Sequence, residues 1–118
     1  MSTESRTLAC EVETMGDLHF VKLNGSLSDE GIALARKAIL DALNGGAAKI
    51  AVGMQDVGYV SSSGIGMLVS MLKRCHQHNV PLAICSLNTD IRELFTLTRL
   101  DQVFTIARDV HAWQKSLS

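Results

Sequence analysis

The sequence predicts an α/β fold in a single domain over residues 1–118, with a mixed sheet of about five strands packed with four helices. Two alternating apolar stretches near the start are separated by a short glycine-containing turn, which is typical of a β-hairpin. Later apolar runs of strand length alternate with stretches of helical periodicity, which predicts parallel strands joined by right-handed crossovers. With 118 residues, of which 47% are hydrophobic, the chain can bury one core. The predicted order is β-β-α-β-α-β-α-β-α.

The opening hairpin is predicted from two stretches of period two. Residues 8–14 and 18–23 alternate apolar and polar side chains, as half-buried strands do, and Gly16 lies in the turn between them. Asn24 and Gly25 follow the second stretch, and this pair favours a turn over a strand. We therefore expect the second strand to end there.

A first helix is predicted after the hairpin. Ser28 followed by Asp29 and Glu30 indicates its start, because acidic residues in a first turn complement the helix dipole. Asn-Gly-Gly at residues 44–46 indicates its end. Its buried face is predicted from apolar residues at spacings of three and four, namely Ile32, Ala35, Ile39 and Leu43.

The central unit of the chain joins a strand to a helix through three consecutive serines. An apolar run from about Lys49 to Met54 predicts a buried strand, which a turn connects to the serines and to a helix ending near His78. Ser62 or Ser63 is the predicted N-cap, which leaves an exposed hydroxyl at the positive end of the helix dipole. The apolar face of this helix is predicted at Ile65, Leu68, Val69 and Leu72.

The remaining elements follow the same logic. Residues 80–85 predict a buried strand, and the capping cluster at 88–90 predicts a helix after it. Residues 103–107 predict a short last strand, and Asp109 is predicted to cap the final helix. The buried faces of these two helices are predicted at Ile91, Leu94, Phe95 and Thr98 and at Val110, Trp113 and Leu117.

Composition excludes several classes of partner and compartment. The net charge is −1 and the basic residues are scattered, which argues against nucleic acid or an anionic membrane as the main partner. The cysteines are odd in number and show no Cys-x-x-Cys spacing, which favours free thiols in a reducing compartment over a disulfide scaffold. They are Cys10, Cys75 and Cys85. The polar, acidic start does not resemble a signal peptide, and we expect a cytoplasmic protein without direct membrane insertion.

Tests for catalytic and metal chemistry find no supporting pattern. The glycine that a Gly-x-Ser-x-Gly nucleophile turn requires is missing before Ser62 and Ser63. No Lys-Ser/Thr pair follows the glycines, as a phosphate-cradling loop would require. His76 and His78 are two residues apart and would point in different directions on a helix. We expect a protein that is not an enzyme and holds no cofactor or metal.

A second stripe runs beside the predicted apolar face of the central helix. It consists of Met67, Met71, Arg74 and His78, at spacings of four, three and four. One interpretation is that the methionines widen the buried face. The other is that they form an adaptable partner-binding surface next to the serines.

Three motifs make the whole chain resemble a STAS domain, the fold shared by anti-sigma factor antagonists and the cytoplasmic tails of sulfate transporters. Residues 23–28, Leu-Asn-Gly-Ser-Leu-Ser, resemble the family's L-x-G-x-L-D. Residues 60–66, Val-Ser-Ser-Ser-Gly-Ile-Gly, resemble the segment that contains D-S-S-G-L-G. Residues 94–100 resemble the L-x-x-x-G-L segment that leads to Val103 and Phe104.

The resemblance implies a phosphoacceptor in the serine cluster. The family's acceptor is the second serine of D-S-S-G, which falls on Ser63, and Ser62 matches the first. Ser63 is therefore the expected phosphorylation site and Ser62 the second choice. Ser61, Ser28 and Gly53 stand where the family carries aspartate. The resemblance therefore implies a less acidic surrounding for a phosphate on Ser63.

The function that the resemblance implies is that of an anti-sigma factor antagonist in a partner-switching pathway. Such a protein binds a GHKL-type serine kinase that is also the anti-sigma factor, is released when the kinase phosphorylates it, and is restored by a serine phosphatase. An alternative is a subunit of a lipid-transport ATPase complex without phosphate turnover, since small STAS proteins of that kind are also similar. A third alternative, a nucleotide or small-ligand binder, rests only on the helix N-terminus and the glycines of the serine loop. The expected partner-binding residues are Ser28, Ser61, Ser62, Ser63, Gly64, Ile65, Gly66, Met67, Met71 and Arg74.

Overall fold

The computed structural model describes residues 7–117 and confirms the predicted fold class and element order. A single helical turn at Leu100–Gln102 adds to the predicted elements. The strands and helices, in chain order, are β1 Ala9–Met15, β2 Leu18–Leu27, α1 Glu30–Asn44, β3 Lys49–Val60, α2 Ser62–Gln77, β4 Leu82–Cys85, α3 Thr89–Leu97, β5 Thr105–Ala107 and α4 Val110–Ser116.

The five strands lie in the sheet in the same order as in the chain, β1-β2-β3-β4-β5. β1 and β2 are antiparallel, and each later strand is parallel to the one before it. This is the mixed sheet that the hairpin and the helix alternation predict. Each parallel pair is bridged by one helix, as a crossover connection requires.

Two hydrophobic clusters cover the two faces of the sheet. The larger one packs α1, α2 and α3 against residues such as Val21 and Val52. The smaller one packs Val110 and Trp113 of α4 against Leu18 and small residues of the central strands. Because neighbouring strand residues point to opposite faces, both sides of the central strands are buried.

The prediction that Asn24 and Gly25 end the second strand is wrong, since β2 continues to Leu27. The strand accommodates this pair through register shifts against β3 between Lys22 and Asn24 and again between Gly25 and Ser26. Gly25 has a φ of +120°, and a Cβ there would collide with the carbonyl of Thr7. The strand therefore needs a glycine at this register shift. In the sequence alone the same glycine indicates a turn.

The prediction that the central strand ends near Met54 is also wrong, because β3 runs on to Val60. Its second half pairs with the irregular end of β2, with Leu27 opposite Val60. β4 reaches only as far as Gly53. Beyond that point Asn88 replaces a neighbouring strand, since its Nδ2 donates to the carbonyl oxygens of Gln55 at 3.2 Å and Val57 at 2.8 Å.

Candidate functional site

The predicted site lies at the edge of the sheet where the parallel strands β2 and β3 end side by side. Leu27 and Val60 are paired, so the residues that follow them, Ser28 and Ser61, leave the sheet together. The main-chain N–H of Ser61 donates to the carbonyl of Leu27 at 3.1 Å. In parallel sheets the carboxyl ends of the strands are the usual location of functional residues.

Ser61 is the N-cap of α2, so the prediction of Ser62 or Ser63 is wrong. The Ser61 Oγ accepts a hydrogen bond from the N–H of Gly64 at 3.0 Å, and the Ser61 carbonyl accepts from Ile65 at 2.9 Å. The hydroxyl also lies 3.4 Å from the Leu27 carbonyl, to which it donates. The first serine of the three thus joins the helix to the end of β2.

Gly64 allows the first turn of α2 to pack directly on the end of β2. A Cβ at this position would lie 2.5 Å from the Leu27 carbonyl oxygen and 3.2 Å from its Cγ. Such contacts are too close for any other residue without displacing the helix. Gly66, two residues further along the helix, is exposed, and there is open space where a Cβ would lie.

Ser62 and Ser63 are the first two residues of α2, and both are exposed. Amides in the first turn of a helix have no partner within the helix, and they give that end a partial positive charge. Because Ser63 is exposed, its side chain is accessible to a second protein. A phosphate on it would carry about 1.5–2 negative charges next to a helix end that favours an anion.

An exposed polar stripe continues from Ser63 along α2. Ser63, Gly66, Ser70 and Arg74 follow one another at spacings of three, four and four, and all four are exposed. Arg74 lies about 16 Å from Ser63 along the helix axis. Lys73 is exposed beside it. Helical spacing counted from Ser63 would have identified Ser70, which the sequence interpretation missed.

The expectation that Met67 and Met71 bind a partner is wrong. Their side chains are only 3% and 2% exposed, and they pack in the main core with Leu68 and Cys75. The alternative interpretation, that they widen the buried face, is confirmed. Ile65 is half-buried and packs at the margin of the same core, so only its edge is available at the surface.

Ser28 lies at the predicted site, whereas Gly53 does not. The Ser28 Oγ is 2.7 Å from the Oγ of Ser26, and Ser28 directly follows the Leu27 carbonyl that Ser61 contacts. Gly53 is seven residues before Val60, or about 23 Å along the strand. A Cβ at Gly53 would lie 2.7 Å from the ring of Phe20, so that ring occupies the space of a side chain here. Of the three positions where the family carries aspartate, only Ser28 and Ser61 therefore lie at the site, and only these two make the surroundings of Ser63 less acidic.

The two buried cysteines of the described residues, Cys75 and Cys85, have raised pKa values. Burial raises the pKa of the Cys75 thiol, and burial with the nearby Asp109 charge raises that of Cys85 to about 12. These thiols are protonated at neutral pH and are poor nucleophiles. Between residues 7 and 117 no three His, Cys, Asp or Glu side chains form a group that could hold a metal ion. None of the helices in that range is long and apolar enough to cross a membrane.

Comparisons with known proteins match most of the chain. A family model described as the STAS domain matches residues 9–113. The anti-sigma-B factor antagonist of Staphylococcus aureus is 26% identical over 99 residues, which cover 84% of this chain and 92% of that protein.

Solved structures show the same fold. The crystal structure of a Thermotoga maritima protein with a proposed role as an anti-sigma factor antagonist superposes with a TM-score of 0.82 at 25% identity. The match covers 91% of this chain and 92% of that one. The phosphorylated form of the Bacillus cell fate determinant SpoIIAA gives a TM-score of 0.70 at 17% identity, covering 92% of this chain and 99% of that one. At 17% identity the likeness shows the fold alone.

Proposed function

Because this chain belongs to the STAS domain family, we propose that it is a non-enzymatic anti-sigma factor antagonist that works by partner switching. In its unphosphorylated form it binds a GHKL-type serine kinase that serves as the anti-sigma factor. Phosphorylation of Ser63 releases it, and a serine phosphatase restores the binding form. The Staphylococcus aureus relative is named as an anti-sigma-B factor antagonist, and the Thermotoga maritima protein has a proposed role of that kind, which supports this class of function.

The observation that carries the proposal is the position of Ser63. Its hydroxyl is exposed in the first turn of α2, at the edge of the sheet where β2 and β3 end, and it starts the polar stripe that leads to Arg74. The second serine of the family motif falls on the same residue. The Ser63 hydroxyl is thus accessible to a kinase, and it lies on the surface that a partner would cover.

Phosphorylation would act on docking more than on the fold. In the transfer step the Ser63 Oγ attacks the γ-phosphorus of ATP, the bond to ADP breaks, and the hydroxyl proton passes to a base of the kinase. The product carries about 1.5–2 negative charges in the first turn of α2, where the dipole stabilises an anion by about 0.3–1 kcal/mol. The helix therefore tolerates the phosphate, while a partner surface matched to a neutral serine is repelled.

The test is capture of partners from native lysate with three baits, wild type, Ser63→Ala and Ser63→Asp. We expect a GHKL kinase to be held by wild type and Ser63→Ala and lost from Ser63→Asp, and the endogenous protein to include a fraction 80 Da heavier, the mass of a phosphoryl group. Ser116→Asp is the matched control, because it adds the same charge to an exposed serine of α4, which packs on the other face of the sheet, and it should hold the kinase like wild type. Thermal melting of Ser63→Asp should equal or slightly exceed that of wild type, so that lost binding is not lost folding.

Two outcomes would overturn the proposal. Equal binding of the kinase by all baits would show that charge at Ser63 does not control docking. Capture of a transporter ATPase by all baits alike, without any heavier fraction, would instead identify a constitutive subunit of a lipid-transport complex.

A further inference from the structure

Within residues 7–117 the sheet ends at β1 on the side opposite to β5. β1 is the first strand in the sheet order and pairs only with β2 among the described residues. Its seven residues, Ala9–Met15, contain neither proline nor glycine, and they pair with β2 without a register shift. An edge of this kind presents main-chain donors and acceptors to which another strand can bind.

A groove of about 510 Å³ lies along the same edge, between β1 and α1. Val12 from β1 and Leu34 from α1 line it, and they are 49% and 43% exposed. Lys37 and Asp41 also line the groove, but they neutralise each other in an ion pair of 2.9 Å. Side chains entering the groove therefore meet exposed apolar surface and little net charge.

The opposite face of β1 is acidic. Glu11 and Glu13 lie two residues apart and are exposed, so both point away from the groove. Glu11 is paired across the strands with Lys22, at a long 3.7 Å between their charged groups, and Glu13 is paired with Phe20. A strand added at this edge would place its own residues directly beside two carboxylates.

Self-association through this edge is disfavoured by its own charges. Two antiparallel copies of β1 that pair over at least five residues about a two-fold axis must be centred on residue 11, 12 or 13. These registers place Glu11 opposite Glu11, Glu11 opposite Glu13 twice, or Glu13 opposite Glu13. Like charges directly opposite each other destabilise a strand pair. The charge pattern thus selects a different chain with basic residues.

We propose that the edge of β1 is a docking site for an extended segment of a partner protein in which apolar and basic residues alternate. The apolar residues enter the groove beside Val12 and Leu34, and the basic ones lie next to Glu11 and Glu13. Main-chain hydrogen bonds to β1 extend the sheet by one strand. This surface is separate from the stripe that starts at Ser63, so a partner can occupy both or either.

The probe is a blocked peptide, Lys-Val-Lys-Val-Lys-Val-Lys, added to the 15N-labelled chain and followed by NMR. We expect amide shifts and slower hydrogen exchange centred on Ala9–Met15. The peptide Lys-Lys-Lys-Lys-Val-Val-Val has the same composition without the alternation, and it should not slow exchange in β1. Ser63→Asp should bind the alternating peptide like wild type.

Charge reversal gives the decisive comparison. The double variant Glu11→Lys/Glu13→Lys should bind the peptide about tenfold more weakly, because two attractions become repulsions. Glu93→Lys/Asp101→Lys changes the same net charge on exposed residues elsewhere and should bind within about twofold of wild type. Equal binding by both double variants, shifts centred on α2, or a dimer formed by the wild-type chain through β1 would overturn the proposal.

Discussion

Substitution of Gly64 by alanine should disturb the contact that holds α2 on the end of β2. The new Cβ would lie 2.5 Å from the Leu27 carbonyl oxygen and 3.3 Å from the Cγ1 of Val60. A main-chain oxygen within a paired strand cannot move aside as a flexible side chain can. The first turn of the helix, which carries Ser63, must therefore shift outward.

The magnitude follows from two opposing terms. Overpacking costs about 1–3 kcal/mol, while alanine improves helix propensity over glycine by about 1 kcal/mol or less. Because the clash is with a main-chain oxygen, the upper part of the overpacking range applies, and a cost of about 2–3 kcal/mol less a gain of about 1 kcal/mol leaves a net loss of about 1–2 kcal/mol in the free energy of unfolding. A chain of this size has an unfolding entropy near 0.25 kcal/mol/K, so we expect the Tm to fall by about 4–8 °C.

Gly66→Ala is the matched control, because it makes the same chemical change within the same helix. No atom lies within 4 Å of a Cβ at this position, so only the propensity gain remains. We expect its Tm to rise by about 2–4 °C. Thermal unfolding by circular dichroism or calorimetry measures both shifts. If the two substitutions change Tm in the same direction, the close approach of α2 to Leu27 is not the reason why position 64 requires glycine.

Three further changes test other parts of the structure. Asn88→Asp keeps the oxygen that caps α3 but loses the donors to Gln55 and Val57, so hydrogen exchange in the second half of β3 should accelerate by about tenfold. Asp29→Gly should stabilise the chain by about 1 kcal/mol in thermal unfolding, because Asp29 has a φ of +51° and its side chain caps no N–H. Asp109→Asn should lower Tm above about pH 4, and the difference from wild type should disappear in more acidic solution. The N–H of Ala112 holds the pKa of Asp109 below its ordinary value of 3.8, so this stabilisation is present above that value and lost as pH falls through the lower, folded-state pKa.

Each of these three expectations has a contrary result. Unchanged exchange in β3 would mean that Asn88 serves only as a helix cap. A lower Tm for Asp29→Gly would mean that the backbone at this position is not strained. A difference between wild type and Asp109→Asn that persists below the folded-state pKa would mean that the charge of the carboxylate does not stabilise α4.

The order of the elements could be predicted because local patterns determine it. Asn88 and Asp109 each cap the helix that follows, as expected, and both helices bury residues at helical spacing. Thr98 and Leu117, predicted on these buried faces, are exposed, because both lie at the C-terminal ends of their helices. These signals depend on residues within a few positions of one another. Alternation also predicts parallel pairing, but it does not determine the order of the strands in the sheet, which the structure shows to be the chain order.

The ends of β2 and β3 could not be predicted, because their pairing is non-local. Asn24 and Gly25 read as a turn by themselves, and only the partner strand shows that they form an irregularity within a longer strand. β3 continues for the same reason, since its second half is held by β2 and by Asn88. Local sequence does not show what lies beside a strand.

Within the site, the sequence identified the loop but not its geometry. Three adjacent serines are equally good caps in isolation, and the contact of Ser61 with Leu27 decides between them. Met67 and Met71 are buried because Gly64 seats the helix against the sheet on that side. The accessible stripe is consequently polar, whereas the methionine hypothesis required an apolar surface.

The pairing of every strand with its neighbour in the chain also bears on how the molecule assembles. The β1–β2 hairpin closes over a turn of two residues, Gly16 and Asp17, and each later strand needs only one crossover to join the existing sheet. The entropy lost in closing a chain segment grows with its length, so growth from the hairpin avoids long closures. We therefore expect substitutions in the hairpin to slow refolding and substitutions in α4 mainly to speed unfolding, which stopped-flow kinetics would distinguish.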